Sequence, residues 1–177
     1  MVDEIDEITA AALRARHGDS SAATAFVRAT QADVWRLCAH LGSAATADDL
    51  TQETYARAFA SLHRFLGRSS ARTWLLTIAR HACADAVRSA TRERGRPLET
   101  VRHAPDHAES VTLRGLVGSL EDERREAFVL TQIVGLSYAE AADVCGCPVG
   151  TIRSRVARAR DELVAGMADG QSATGTA

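Results

Sequence analysis

The sequence predicts an all-α fold of two small helical domains joined by a flexible linker. Three observations carry this expectation. Apolar residues recur at helical spacing in nearly every segment, strand-like alternation is absent, and the three prolines (Pro97, Pro105, Pro148) fall where helices should be interrupted. In the N-terminal part the periodicity places helices over 4–16, 20–41, 46–62 and 70–93; in the C-terminal part, over 109–118, 122–134, 137–144 and 148–167. Between them the stretch "RGRPLETVRHAPDHAE" combines Gly95 with two of the prolines and has no apolar stripe, as a linker does. The expected domains are therefore 1–93 and 109–167, with 94–108 as the linker and the tail 168–177, "ADGQSATGTA", disordered.

A chain of 177 residues can form one ordinary domain or two small ones. With 46% hydrophobic and 25% charged residues it falls among soluble globular proteins, and no apolar run approaches the ~20 residues that span a bilayer, so membrane insertion is not expected. The N-terminus, "MVDEIDEITAA", is acidic where a secretory signal is basic, and it lacks the apolar core of one; a cytoplasmic location is expected. In that compartment Cys38, Cys83, Cys145 and Cys147 should remain thiols. Cys145 and Cys147 are separated by one residue rather than two, and the nearest histidines belong to another segment, so the usual zinc spacing is missing and no metal or cofactor is expected.

The net charge of -2 conceals segregation. Residues 1–63 sum to -4, 64–102 to +6, 103–150 to -5 and 151–177 to +1. Every basic residue is arginine, which suits bidentate contacts to phosphate and guanine. A GC-rich coding sequence produces the same bias and is the preferred explanation of it.

The stretch "LSYAEAADVCGCPVGTIRSRVARAR", 136–160, has helix-turn-helix spacing: a short helix from Ser137, a break at Cys145-Gly146-Cys147, and a longer helix whose first turn accommodates Pro148. Gly146 gives the turn its backbone freedom, so the two cysteines serve the turn rather than a metal. At 100° per residue, Ile152, Val156, Ala159 and Leu163 share the docking face, while Arg153, Ser154, Ala157 and Arg158 lie opposite, flanked by Arg155 and Arg160. Arginines alone would mean only a solvated helix. After this first helix and glycine turn they mean a helix that reads a major groove.

In the N-terminal part, "ATADDLTQETYARAFASLHRF" begins with Thr46 as a candidate N-cap and Asp49 three positions on. Asp49, Gln52 and Glu53 occupy a polar face away from a Tyr55, Ala58, Phe59 and Leu62 stripe; for two aspartates alone, helix-dipole stabilisation would suffice. The next helix should bury Leu75, Ile78, Ala79, Ala82 and Ala86, leaving Arg80, His81, Asp85, Arg88 and Arg92 as a basic ridge. Before it lies a loop with Arg64, Arg68 and Ser69, and Phe65 and Trp74 stand beside these arginines, a combination suited to unpaired bases. The alternative is a core role for both Phe65 and Trp74, and for Trp74 the two are equally weighted.

Together these segments resemble the extracytoplasmic-function (group IV) sigma factors of bacterial RNA polymerase. "DDLTQETYARAF" is similar to the family's region 2.2, "ARTWLLTIARHACADAVR" to regions 2.3 and 2.4, and "SYAEAADVCGCPVGTIRSRVARAR" to region 4.2. The similarity covers most of residues 20–165, and among subgroups it is greatest to the actinobacterial sigma factor C type. The resemblance implies that Asp48, Asp49, Leu50, Gln52 and Glu53 bind the clamp helices of core polymerase. It implies that Phe65, Arg68, Ser69, Arg72, Trp74, Arg80, His81, Asp85 and Arg88 hold the minus-ten element, the loop capturing a flipped base. Thr151, Arg153, Ser154, Arg155, Ala157 and Arg158 would hold the minus-35 element. By analogy an anti-sigma partner would cover the polymerase-binding surface. Two positions depart from the family pattern: His81 stands where Asn is frequent, and Ala157 where a larger side chain is frequent.

The implied function is promoter-specific initiation: binding core polymerase, reading both elements and stabilising melted DNA, with no bond chemistry. A stand-alone helix-turn-helix regulator using only 109–167 would leave the Asp49 face and the Trp74 ridge without a role. A Cys/His hydrolase finds no support, because His40, His63, His81, His103 and His107 are scattered and none pairs with a cysteine at ligand spacing.

Overall fold

The computed structural model describes residues 6–93 and 113–173, and among them every regular element is helical, as expected. The α-helices are α1 (Glu7–Ala15), α2 (Ser20–Leu41), α3 (Ala47–Ser61), α4 (Ala71–Glu93), α5 (Leu113–Ser119), α6 (Asp122–Phe128), α7 (Tyr138–Cys145) and α8 (Val149–Ala173). The chain divides by its contacts into two compact units, Met1–Val87 and Arg88–Ala177, with the division inside α4. The linker expected at 94–108 lies outside the described residues.

In the first unit α1 and α3 both pack on α2. Asp6 caps α1 and Asp19 caps α2, each carboxylate accepting an amide of the first turn at 2.9 Å (Thr9 N and Ala22 N), which satisfies a donor the helix cannot. Phe26, Val34 and Leu37 of α2 and Leu75, Leu76 and Ala79 of α4 are fully buried. Cys83 takes a core position the sequence suggested for Ala86, which is only half-buried, as is Ile78. All four cysteines are free thiols.

The start of α3 corrects the sequence expectation. Thr46 makes no side-chain cap; the entry is governed by Ser43, whose Oγ accepts from Thr46 N at 3.2 Å while Thr46 Oγ1 accepts from Ser43 N at 3.2 Å. The buried stripe of α3 then runs Ala47, Leu50, Thr54 and Ala58, which leaves Phe59 at 41% exposure rather than in the core. Thr54 is tolerated there because its hydroxyl donates to Leu50 O at 2.7 Å.

In the second unit α5, α6 and α7 all pack on α8. The helix expected over 122–134 is α-helical only to Phe128 and continues as a π-helical turn, Val129–Ile133, with Val134 N donating to Val129 O at 2.9 Å. The widened turn buries Val129 and Leu130 and delivers the chain to Gly135, at φ +82°. Ser137 caps α7 in a full capping box with Glu140. Gly146 ends the helix in the left-handed region at φ +64°. Pro148 sits one position before the first turn of α8, not in it, its carbonyl accepting from Thr151 N at 2.9 Å. The helix runs to Ala173, past the expected end at Met167 and through Gly170, so 168–173 are helical where a disordered tail is expected from 168, and 174–177 lie outside the described residues.

Candidate nucleic-acid interface

The second helix of the helix-turn-helix presents the faces its spacing predicts. Ile152, Val156, Ala159 and Leu163 are buried, while Arg153, Ser154, Ala157 and Arg158 are exposed. Arg153 and Arg158 have no hydrogen-bond or ion-pair partner among the described residues, so their donors are available to an outside acceptor. Ser154 Oγ donates to Thr151 O at 2.9 Å, and Thr151 is half-buried. Arg155 differs from its neighbours. It is ion-paired to Glu123 of α6, its Nη1 lies 3.8 Å from Cys147 Sγ, and its side chain is only 20% exposed. It therefore fastens α8 to α6 and the turn, and does not stand free as the sequence reading placed it. Arg160 donates to Gln132 Oε1 at 2.9 Å, a second tie across the same unit.

The loop before α4 sorts its residues in a similar way. Leu66, Arg68 and Ser69 are exposed, and Leu66 is 56% so despite being apolar. Phe65 is 5% exposed, which corrects its placement as a base-stacking side chain: its ring belongs to the core, 4.9 Å from the half-buried ring of Trp74. Arg72 Nε donates to Asp33 Oδ2 on α2 at 2.8 Å, so this arginine too is engaged within the fold. Ser70 caps α4, its Oγ accepting from Thr73 N at 3.1 Å. Further along α4, His81, Asp85 and Arg88 are exposed and Arg80 half-buried, one turn or so apart on a single helix.

On α3, Asp48, Asp49, Gln52 and Glu53 are exposed, but Leu50 is 7% exposed and packs inward beside Gly42, where a built Cβ would lie 2.6 Å from Leu50 Cδ1. Leu50 thus supports the face from beneath instead of lying on it. Asp48 Oδ1 accepts from Trp35 Nε1 at 2.8 Å and Glu53 Oε1 from Arg57 Nε at 2.7 Å, while Asp49 and Gln52 have no side-chain partner among the described residues. Trp35, 39% exposed, adds an aromatic edge to this acidic face that sequence spacing could not announce, because the pairing joins two helices. Arg57 was likewise missed. Its guanidinium is held more firmly protonated than usual, first by Asp85 and then by Glu53.

Among the described residues no group of three or more His, Cys, Asp or Glu is placed to hold a metal ion, and no helix is long and apolar enough to cross a membrane.

Comparison with known proteins places the chain in a family. Residues 26–93 match the model of sigma-70 region 2 and residues 110–163 that of sigma-70 region 4. The chain is 52% identical over 168 residues to the ECF RNA polymerase sigma factor SigC of Mycobacterium tuberculosis (strain CDC 1551 / Oshkosh), covering 90% of this chain and 91% of that protein. Among solved structures it is similar to the sigma factor RpoE of Bartonella quintana, in co-crystals with the anti-sigma factor NepR, with a TM-score of 0.66 and 31% identity over 80% of this chain and 93% of the other. It is also similar to CnrH in complex with the cytosolic domain of CnrY, with a TM-score of 0.72 and 26% identity over 90% and 96%. With both family regions present in order and a relative this similar along nearly its whole length, the chain belongs to the extracytoplasmic-function sigma factors, transcription initiation factors that bind core RNA polymerase and promoter DNA and are not enzymes.

Proposed function

We propose that this sigma factor reads a two-part promoter in the cytoplasm, through two surfaces, while a third holds the polymerase. In this reading α8 enters the major groove of the minus-35 element with Thr151, Arg153, Ser154, Ala157 and Arg158 facing the DNA, and Arg155 holds the helix in its seat. Leu66, Arg68 and Ser69 receive an unpaired base of the minus-ten element, backed by the Phe65 and Trp74 rings, and Arg80, His81, Asp85 and Arg88 follow the upstream part of that element. Arg72 supports the loop through Asp33. Asp48, Asp49, Gln52 and Glu53 dock on the clamp helices of the polymerase, with Leu50 beneath them. The domain organisation that goes with it is 1–93 for docking and minus-ten work and 109 onward for the minus-35 element.

The observation that carries the reading is the division of arginines on α8: Arg153 and Arg158 exposed and without partners among the described residues, Arg155 tied down. Exposed guanidiniums on the face opposite a buried apolar stripe keep all their donors available, and their planar fork matches phosphate and guanine geometry. Ala157 between them offers only a methyl, which fits contact with a thymine methyl. By likeness to the Bartonella quintana complex, an anti-sigma partner would bind this chain as well, and the family analogy puts it over the polymerase-binding surface.

The test uses holoenzyme reconstituted with bacterial core polymerase and a promoter selected by that holoenzyme from a random-sequence pool. Arg153→Ala and Arg158→Ala should each flatten base preference in the upstream element only, and Arg68→Ala in the downstream element only. Asp49→Ala with Gln52→Ala should weaken core binding before any DNA is added. Loss of preference in both elements from a single arginine would refute the assignment of separate surfaces.

A further inference from the structure

Helix α1 lies ahead of residue 26, where the match to region 2 begins, yet it holds the 65–71 loop at three points. At its start, Thr9 is 3% exposed; its Oγ1 donates to Asp6 Oδ2 at 2.6 Å and accepts from Ala71 N at 2.8 Å, fixing the end of the loop where α4 begins. At its close, Arg16 Nη1 donates to Phe65 O at 3.0 Å, fixing the beginning of the loop. Between them Leu13 faces Gly67, whose φ of +69° turns the chain; a Cβ built there would sit 3.4 Å from Leu13 Cδ1. The consequence is a raised, braced crest on which Leu66, Arg68 and Ser69 are exposed.

We propose that α1 is a positioning element for promoter opening, in which Thr9 and Arg16 hold the 65–71 loop at the height and angle at which it takes up an unpaired base. The inference rests on the reading of that loop given above and adds to it the residues that preorganise it. A loop already held in its binding conformation loses little conformational freedom on engagement; a slack one must be ordered at the expense of affinity. The effect falls on the step in which the base leaves the stack, because the hydrogen bonds of both residues go to the ends of the loop and not to the exposed Asp49 face. Leu66 gives the crest its chemistry: an apolar side chain in solvent close in sequence to the exposed Arg68 guanidinium matches the face of a base and its adjoining phosphate.

The experiment uses reconstituted holoenzyme with wild-type protein, Thr9→Val, Thr9→Ser, Arg16→Met and Arg68→Ala. Each is measured for core polymerase affinity, for affinity to fully duplex promoter, and for affinity to a fork-junction fragment whose minus-ten segment is single-stranded. Thr9→Val and Arg16→Met should lower the preference for fork over duplex by about fivefold, as the ordering of one or two side chains and a loop would. Core affinity should stay at the wild-type value, and Thr9→Ser, which keeps the hydroxyl, should retain the preference. If Arg68→Ala loses the preference while Thr9→Val and Arg16→Met keep it, the loop reading stands and the role of α1 is overturned. A parallel fall in core affinity would overturn it as well, reducing α1 to general support. If Arg68→Ala itself changes nothing, the loop reading fails and the inference fails with it.

Discussion

Arg57 on α3 donates through Nη1 to Asp85 on α4 at 2.6 Å while its Nε stays on Glu53, one turn back along its own helix, at 2.7 Å. One guanidinium therefore serves a carboxylate on the proposed docking face and another on the proposed DNA ridge. Both carboxylates raise the Arg57 pKa, Asp85 more than Glu53, so the cation persists at any working pH. In the proposed reading its effect on DNA binding is to offset the one negative charge of a ridge that approaches phosphates.

Replacing Arg57 with Ala should expose DNA to more of the Asp85 charge. The side chains are 38% and 46% exposed, so solvent screens the pair and the expected loss is small, about two- to fivefold in holoenzyme affinity for duplex promoter at low salt. It should fade as salt rises and the Debye length shrinks to about 3 Å at 1 M. Combining Arg57→Ala with Asp85→Asn should return the affinity to wild type. A loss that is the same at every salt concentration would mean that Arg57 acts through packing instead.

The arginines of α8 should separate by stability and by salt dependence. Arg155→Ala and Glu123→Ala should each lower the melting temperature, by an amount worth up to about 1 kcal/mol, because they break the same tie between α8 and α6. Arg153→Ala and Arg158→Ala should leave melting within about 0.5 kcal/mol, since nothing in the fold depends on them. Their cost should appear instead in promoter binding, with the slope of log affinity against log salt falling by about 1 for each phosphate that the variant no longer neutralises. Stable Arg155→Ala protein with a reduced salt slope would return that residue to the reading face.

This contrast marks where the sequence was legible. The stripe Ile152, Val156, Ala159 and Leu163 was readable because every member is apolar and the spacing is helical. In α3 the buried stripe passes through Thr54, and in α2 through Thr30, whose hydroxyls return to Leu50 O and Phe26 O. A threonine that satisfies itself locally is buried yet reads as polar, and this moved the expected face of α3 round to Phe59. Nor could spacing show which arginines were spoken for. Arg72 with Asp33 and Arg155 with Glu123 are 39 and 32 residues apart, and only the packing of helices brings them together. The turn at Gly146 was legible for the opposite reason, because glycine, proline and a capping serine act within a few residues of themselves.

Those local signals carry their own measurable weight. Ser137→Ala removes the hydroxyl half of the α7 capping box, the bond from Glu140 N to Ser137 Oγ at 3.2 Å, and should destabilise the protein by about 1 kcal/mol. Gly146→Ala meets no atom within 4 Å, so its penalty is purely that of a left-handed backbone, roughly 1–2 kcal/mol. Gly146→Asn should fall between alanine and wild type, since asparagine tolerates that conformation better. Thermal melts followed by far-UV circular dichroism order the three variants, and an alanine at 146 as stable as glycine would contradict the observed turn.

At the other end of the chain, the cap of α2 titrates. Asp19 accepts from Ala22 N at 2.9 Å and from Ser21 Oγ at 2.7 Å, and these hydrogen bonds, the amide first, hold its carboxyl below the ordinary aspartate value. A group whose pKa is lower in the folded chain stabilises the fold fully above its unfolded value, and the contribution disappears as pH falls through the folded one. The window therefore opens below about pH 4, the unfolded value for aspartate. Asp19→Ala should be less stable than wild type by a constant margin from neutral pH to about 5, and the margin should narrow as the pH falls further. Asp19→Asn keeps a capping oxygen without a titrating group, so its stability near pH 7 should stay close to wild type and the acid-dependent part should vanish. Urea unfolding across this pH range gives the margins, and the carboxyl carbon resonance of Asp19 gives the midpoint directly. A midpoint above that of an unfolded aspartate would reverse the sign and remove Asp19 as the charge that holds the start of α2.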